Sequence, residues 1–237
     1  MGETGMFGVM TSGASTAALL SLLPALERLT GRPVVLLSRS VGVGETYIPN
    51  RLKRGEVADI VIVADDLLQQ CSADGLVLAG SCVPLVQSLV GMAVRAGAQR
   101  PDIATMASFR RTLLEASSIG YSASVSGQYL AQELWPAMGI ADVLLPKARC
   151  IGHERIGAVV ARGEVEIGFE QISELLPVPG IAHVTPLPAE AQKITLFSGA
   201  VATSSPDPDM AGRVLQFLRS PQAHLAMIAS GLRPVEG

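Results

Sequence analysis

The chain contains few of the residues that build metal centres and disulfide frameworks. Its 237 residues include only three cysteines and three histidines, at Cys71, Cys82, Cys150, His153, His183 and His224. No pair of cysteines has the C-x-x-C spacing, and no histidine has the H-x-x-x-H or E-x-x-H spacing of a zinc site. A Walker loop and a G-x-S-x-G nucleophile elbow are also missing. The sequence therefore predicts no metal site and no cofactor.

Long apolar runs and blocks of one charge are absent as well. Proline, glycine or charged residues interrupt every apolar run well short of the roughly 20 residues that cross a bilayer. The net charge is −3, with acidic and basic residues mixed, so we expect neither nucleic-acid binding nor membrane insertion. The first residues, "MGETGMFGVM", lack the basic stretch and apolar core of a signal peptide. We therefore expect a periplasmic protein if a signal peptide was removed, and a cytoplasmic protein otherwise.

What the chain does have is a regular alternation of strand-like and helical segments. The runs "MFGVMT", "PVVLLS" and "ADIVIVA" are rich in β-branched and apolar residues, and helical segments follow each of them. Such alternation predicts an α/β fold with a mostly parallel sheet and right-handed crossovers. After the third strand, "ADD" at Asp65 and Asp66 predicts a helix N-cap.

A second series of the same kind extends from "SIGYS" to "EIGFEQ". Two long strand-like passages, Leu89–Ala96 and Ile194–Ala202, bracket it. The pattern predicts two lobes, with residues 1–88 and 197–237 in the first lobe and residues 89–196 in the second. The two passages would then act as a hinge, and the cleft between the lobes becomes the expected ligand site.

Small polar residues follow the first two strands, where ligands bind in open α/β sheets. Ser12 and Gly13 lie between the first strand and its helix, and Arg39, Ser40 and Thr46 follow the second strand. Hydroxyl groups and free N–H groups at the positive end of a helix can hold an anion. A single hydroxyl could also act as a plain N-cap, and Arg39 could form a surface ion pair. Both interpretations remain open at this stage.

Several motifs occur in an order that resembles the type 2 periplasmic binding proteins, and most of all their molybdate-binding branch. They are the serines after the first two strands, "RGEVADIVIVADD", "SIGYSASVSGQYLAQEL" and "VVARGEVEIGF". The resemblance extends over nearly the whole chain. It implies a two-lobed α/β fold in which each lobe is a mixed, mostly parallel sheet flanked by helices.

The resemblance also implies where a ligand is held. By position, the ligand contacts of that family correspond to Ser12, Ser40, the backbone around Ser124, Val125 and Ser126, the helix start near His153, and Phe169. The family closes its site with a tyrosine, and Phe169 lacks the phenol.

This chain adds polar groups that the resemblance does not account for. They are Arg39, His153, Glu154, Arg155, Glu170 and Gln171. Guanidinium groups pair with carboxylates through two hydrogen bonds, so these groups favour an organic di- or tricarboxylate over molybdate or tungstate. Surface ion pairs and helix capping are alternative roles for the same residues.

Two functions of different class follow. The first is a solute-binding protein that holds a small anion and could pass it to a membrane transporter. The second is an isomerase that moves a proton within a polycarboxylate such as aconitate, because the resemblance includes members similar to aconitate isomerase. In that case His153 or Glu170 would be the acid and base. The absence of a sharp catalytic motif favours the solute-binding protein.

Overall fold

The computed structural model describes residues 5–235, except for the side chain of His183. The chain forms two compact units, one made of the chain up to Gln87 and from Leu196 onward, and the other of Ser88–Thr195. Two long strands, β4 (Val83–Arg95) and β9 (Ile194–Val201), carry the chain from one unit to the other. Both passages predicted as long strands are therefore confirmed as strands. Within the described residues, none of the helices has the length and apolar content to cross a membrane.

The first unit is built on three parallel strands. β1 (Phe7–Thr11) lies between β2 (Val34–Arg39) and β3 (Ile60–Ala64). β9 pairs with β3 in the antiparallel direction, and a short strand, β10 (Arg233–Pro234), pairs with β4. Because β1, β2 and β3 are parallel, their carboxyl ends lie at one edge of the sheet.

Helices cover this sheet and fill its core. They are α1 (Gly13–Thr30), α2 (Ile48–Lys53), α3 (Asp65–Ala73), α10 (Pro208–Leu218) and α11 (Pro221–Ala229), with a 3₁₀ turn at Gly44–Thr46. The apolar face of α1 contributes Ala18, Leu22 and Leu26 to the main core. One prediction at a helix start is wrong. Ala64 is the N-cap of α3, and Asp65 and Asp66 lie in its first turn without a capping hydrogen bond. Their charges complement the helix dipole there.

The second unit repeats the parallel arrangement. β5 (Ile119–Ser122) lies between β6 (Ala148–Ile151) and β7 (Ile167–Gln171), and all three are parallel. β4 pairs with β7 and with β8 (Ile181–Pro186) in the antiparallel direction. The carboxyl ends of β5, β6 and β7 thus share one edge of the sheet.

Short helices surround this second sheet. They are α4 (Met106–Glu115), α5 (Val125–Tyr129), α6 (Trp135–Ala137), α7 (Ala141–Leu144), α8 (Ile156–Ala161) and α9 (Ile172–Leu175). A π-helical segment, Leu130–Leu134, joins α5 to α6 without a break, so a single helix runs from Val125 to Ala137. Phe109, Trp135 and Phe169 are fully buried in the core of this unit.

Candidate functional site

The start of α1 carries two buried hydroxyl groups that have no hydrogen-bond partner among the described residues. Ser12 is the N-cap residue, and its backbone N–H donates to the carbonyl of Ile62 at 2.9 Å. Ser12 is 4% exposed, yet its Oγ makes neither the usual capping bond nor any other hydrogen bond in the described structure. A plain capping role therefore does not explain this hydroxyl. Buried polar groups normally have a hydrogen-bond partner. Because the Ser12 hydroxyl has none here, it can donate a hydrogen bond to an anion.

Ser15, one turn later, differs in its surroundings. Its Oγ is also buried and has no partner among the described atoms. However, Ser15 lines a small cavity whose other walls are apolar side chains, among them Leu19, Leu22 and Met227. Both serines are therefore buried and have no hydrogen-bond partner among the described atoms, and Ser15 in addition lines an apolar cavity.

Arg39 ends β2 at the same sheet edge, and Ser40 and Thr46 lie in the segment that follows. Ser40 Oγ accepts from the N–H of Gly42 at 3.0 Å, and Thr46 Oγ1 donates to the carbonyl of Val43 at 2.9 Å. Gly42 has a φ of +75°, and a Cβ there would lie 2.3 Å from the Thr46 carbonyl oxygen. The hydroxyls of Ser40 and Thr46 therefore shape the loop. Arg39 is exposed and forms no ion pair within residues 5–235.

In the second unit, three serines form a triangle of hydroxyl groups between β5 and α5. Ser122 Oγ lies 2.7 Å from Ser124 Oγ and 3.1 Å from Ser126 Oγ, and the last two oxygens are 3.4 Å apart. Ser124 is the N-cap residue of α5, but its side chain makes no capping bond. The helix start lies so close to the strand that a Cβ on Gly127 would be 1.7 Å from the Ser122 carbonyl oxygen.

This triangle suits an anion for two reasons. Each hydroxyl can rotate, so hydrogens now shared among the three oxygens can turn toward a carboxylate. The helix that starts at the exposed Val125 continues to Ala137, and its dipole adds a partial positive charge. The serines that the sequence predicted, Ser124 and Ser126, are joined here by Ser122, which was predicted only as the last residue of a strand.

His153 and Glu154 lie in the segment between β6 and α8. The imidazole of His153 is 83% exposed, and its Nε2 lies 3.5 Å from Glu154 Oε1. The Glu154 carboxylate accepts two hydrogen bonds from Arg162, at 2.9 and 2.8 Å, and this pairing lowers the pKa of Glu154. Glu154 is therefore part of a surface ion pair, whereas His153 offers an accessible imidazole.

Arg155 and Glu170 lie deeper in the second unit. Glu170 is 4% exposed, and its carboxylate accepts from the N–H of Ile156 at 3.2 Å at the start of α8. Arg155 Nη1 donates to the main-chain carbonyl of Glu174 at 3.2 Å. Burial raises the pKa of Glu170 well above its usual range, the Glu174 carboxylate raises it further, and Arg155 opposes both effects. Burial likewise raises the pKa of Glu174 to about 7, with Arg155 opposing.

Phe169 and Gln171 are buried along β7. The Phe169 ring is fully buried and meets Phe109 edge to face, with ring centroids 6.2 Å apart, so its visible role is core packing. Gln171 is 2% exposed, and its Nε2 donates to Thr195 Oγ1 at 3.4 Å. The side-chain amide oxygen of Gln171, Oε1, has no partner in the described part of the chain. No group of three or more His, Cys, Asp or Glu residues within the described chain could hold a metal ion.

The chain is similar to known proteins over nearly its whole length. Residues 7–233 match a family described as bacterial extracellular solute-binding protein. A relative from Pseudomonas sp. named aconitate isomerase is 44% identical over 228 residues, which cover 96% of this chain and 87% of the relative.

Solved structures show the same fold at much lower identity. The periplasmic molybdate-binding protein of Azotobacter vinelandii has a TM-score of 0.74 and 18% identity, covering 95% of this chain and 98% of its own. An ABC transporter substrate-binding protein from Agrobacterium tumefaciens has a TM-score of 0.70 and 17% identity, covering 99% of this chain and 80% of its own. The two-lobed α/β fold predicted from the sequence is confirmed.

Proposed function

Because the chain belongs to the bacterial extracellular solute-binding protein family, we propose that it binds a small organic polycarboxylate and interconverts cis- and trans-aconitate. The observation that carries this proposal is the near full-length relative from Pseudomonas sp., named aconitate isomerase, at 44% identity. The motifs of the sequence favoured the solute-binding role. The 44% identity to a protein named aconitate isomerase instead favours the isomerase.

The hydroxyl groups supply the binding chemistry. Ser12 offers a buried, unpartnered hydroxyl, and Ser122, Ser124 and Ser126 offer three more at the start of a long helix. Arg39 adds an exposed guanidinium, which can bind a carboxylate through two parallel hydrogen bonds. Within the second unit, a ligand with several carboxylates can accept hydrogen bonds from more than one of the three serine hydroxyls.

The reaction requires a proton to leave one carbon and return to another. Aconitate has a methylene group beside its double bond. Removing a proton from the methylene carbon shifts the double bond by one carbon, and adding a proton to the far carbon completes the isomerisation with no other reactant. The intermediate places negative charge on a carboxylate, where hydrogen-bond donors stabilise it.

His153 is the acid and base that we propose for this transfer. Its imidazole is accessible, and histidine is the side chain used most often for proton transfer. Glu170, the other candidate from the sequence, is buried and already accepts a hydrogen bond at the start of α8. We therefore propose that the Glu170 carboxylate fixes the start of α8 in place and does not transfer the proton.

The test is to incubate the purified protein with trans-aconitate and to separate the two isomers by chromatography with ultraviolet detection. We expect cis-aconitate to accumulate. His153→Ala should lower the rate by at least about 100-fold, in the range typical of general acid–base catalysis. His224→Gln, which changes a histidine of α11 in the first unit, should leave the rate unchanged. No conversion by the wild-type protein would refute the isomerase.

A second function is supported by the family itself. The family is one of solute-binding proteins, and the Agrobacterium tumefaciens neighbour serves an ABC transporter. Tight binding of aconitate without conversion would support a role as a solute-binding protein that delivers aconitate to a membrane transporter. Thermal stabilisation by molybdate or tungstate, and none by carboxylates, would instead favour an oxyanion carrier.

A further inference from the structure

Three buried side chains at one end of the β4/β7 strand pair have polar atoms without a hydrogen-bond partner. They are Ser88 in β4, Gln171 at the end of β7, and Ser173 in α9, and each is at most 2% exposed. The Oγ atoms of both serines and Oε1 of Gln171 have no partner among the described residues. Val90 of β4 pairs with Gln171, so the antiparallel register brings all three positions to the same end of the pair. We call these three residues the polar cluster.

The Gln171 amide has a partner at only one of its two ends. Its Nε2 donates to Thr195 Oγ1 at 3.4 Å, whereas its Oε1 is a buried acceptor that no described group satisfies. Gln192 differs, because its Oε1 accepts from the N–H of Val90 at 2.8 Å and its Nε2 donates to the carbonyl of Val90 at 3.0 Å. Gln192 therefore has a structural role. Gln171 keeps one acceptor for a donor from outside the protein, since buried polar groups normally have a partner.

The end of β7 lies beside the triangle of serine hydroxyls. β5 and β7 are neighbouring parallel strands in which Tyr121 pairs with Phe169. Both strands therefore reach their carboxyl ends at nearly the same level, with Ser122 ending β5 and Gln171 ending β7. α5, which starts at the triangle, packs against β7. Neighbouring strands lie about 4.8 Å apart, which is a distance that a small polycarboxylate can span.

The free acceptor of the polar cluster fits a hydroxyl group better than a carboxylate. An ionised carboxylate only accepts hydrogen bonds, so it cannot satisfy Oε1 of Gln171, and the two negative oxygens repel each other. A hydroxyl group both donates and accepts. It can donate to Oε1 of Gln171 and still accept from a serine hydroxyl. The carboxylates of the same ligand are left to the serine triangle, whose hydrogens can turn toward them.

We infer that Gln171 is a specificity-determining residue that recognises a ligand hydroxyl group, so that the anion site also binds hydroxylated tricarboxylates. The inference rests on the polycarboxylate site of the proposed function, because it takes the triangle as the place of one ligand carboxylate. Citrate is a suitable probe, since it carries a hydroxyl on its central carbon. It has no double bond to shift, so it should bind without isomerising and compete with trans-aconitate. Thr195 is a positioning residue, because it holds the amide with Oε1 free.

The experiment compares citrate with tricarballylate, which has the same carbon skeleton and three carboxylates but hydrogen in place of the hydroxyl. Calorimetric titration at pH 8, without divalent cations, gives both dissociation constants with both ligands fully ionised. We expect the wild type to bind citrate roughly three- to tenfold more tightly, as one added hydrogen bond provides. Gln171→Met, which removes the amide, and Thr195→Val, which releases it, should each reduce this ratio to below about twofold. Gln132→Met, the same change at an exposed position of this unit, should keep the wild-type ratio.

The outcomes separate this role of Gln171 from the proposed function. If the wild type converts aconitate but binds citrate no better than tricarballylate, only the recognition of a hydroxyl is overturned. If citrate is preferred and Gln171→Met keeps the preference, the assignment to Gln171 is overturned. If the preference depends on Gln171 and aconitate is not converted, the isomerase fails and the role of Gln171 stands. If none of the three acids binds, both fail. If Gln171→Met does not fold, the ratio in Thr195→Val decides.

Discussion

Ser12 and Ser15, at the start of α1, allow a paired test of the proposed anion site. Ser12 and Ser15 are 4% and 5% exposed, and neither hydroxyl has a hydrogen-bond partner in the described structure. A buried hydroxyl without a partner costs about 1–3 kcal/mol. Changing either serine to alanine removes that cost, so we expect each variant to raise the free energy of unfolding of the ligand-free protein by about 1 kcal/mol.

The two variants should differ in ligand binding. A hydrogen bond to a charged group contributes about 1.5–3 kcal/mol, so Ser12→Ala should weaken binding of trans-aconitate by roughly 10- to 150-fold. Ser15 lines an apolar cavity, so Ser15→Ala should change affinity by less than about twofold.

Urea unfolding without ligand and calorimetric titration with trans-aconitate measure the two quantities. An ordinary N-cap loses about 1 kcal/mol of stability when serine is changed to alanine. A loss of stability in Ser12→Ala would therefore show that its hydroxyl caps the helix, contrary to the geometry. Equal affinities for the two variants would refute the assignment of Ser12 to the ligand.

Two further predictions concern stability. Because folding raises the pKa of Glu174 from 4.5 to about 7, the folded protein binds more protons than the unfolded chain in that interval. Stability should fall by about 1–3 kcal/mol as the pH rises from 5 to 8, and Glu174→Gln should flatten the profile measured by urea unfolding. Gly127→Ala should cost about 3 kcal/mol or prevent folding, because its Cβ would lie 1.7 Å from the Ser122 carbonyl oxygen. Gly212→Ala, in α10 with open space at the Cβ position, should be neutral or stabilising, and equal effects of the two changes would contradict the close contact.

The strands and main helices could be predicted because each is long enough to show a period. Apolar, β-branched runs such as "ADIVIVA" are typical of a buried strand, and β3 confirms that prediction. α9 and β8 were not predicted. The four residues of α9 are too few to show a helical period. The residues of β8 lie in a stretch of sequence that prolines interrupt, so they show no clear strand pattern. The family resemblance, which rested on the order of several motifs along the chain, is confirmed by the family match over residues 7–233.

The candidate site was harder to predict than the fold. Ser12 could be selected from its place between a strand and a helix, because a hydroxyl there lies at the carboxyl edge of the sheet, where ligands bind. Ser15 was not selected, and that its hydroxyl is also buried without a described partner became visible only in the packing. Glu174 was missed for a similar reason, because its relation to Arg155 spans 19 residues and two helices.

The π-helical segment between α5 and α6 has a consequence for how this chain can change in length. A π turn spans one more residue than an α turn, so Leu130–Leu134 stores a surplus residue inside a continuous helix. Upstream lies the triangle of serine hydroxyls, and downstream lies Trp135 in the core. Loss of one residue from this segment would convert it to regular α-helix and leave both ends in place. The helix can therefore absorb a single-residue deletion in evolution without moving either the triangle of serine hydroxyls or the core.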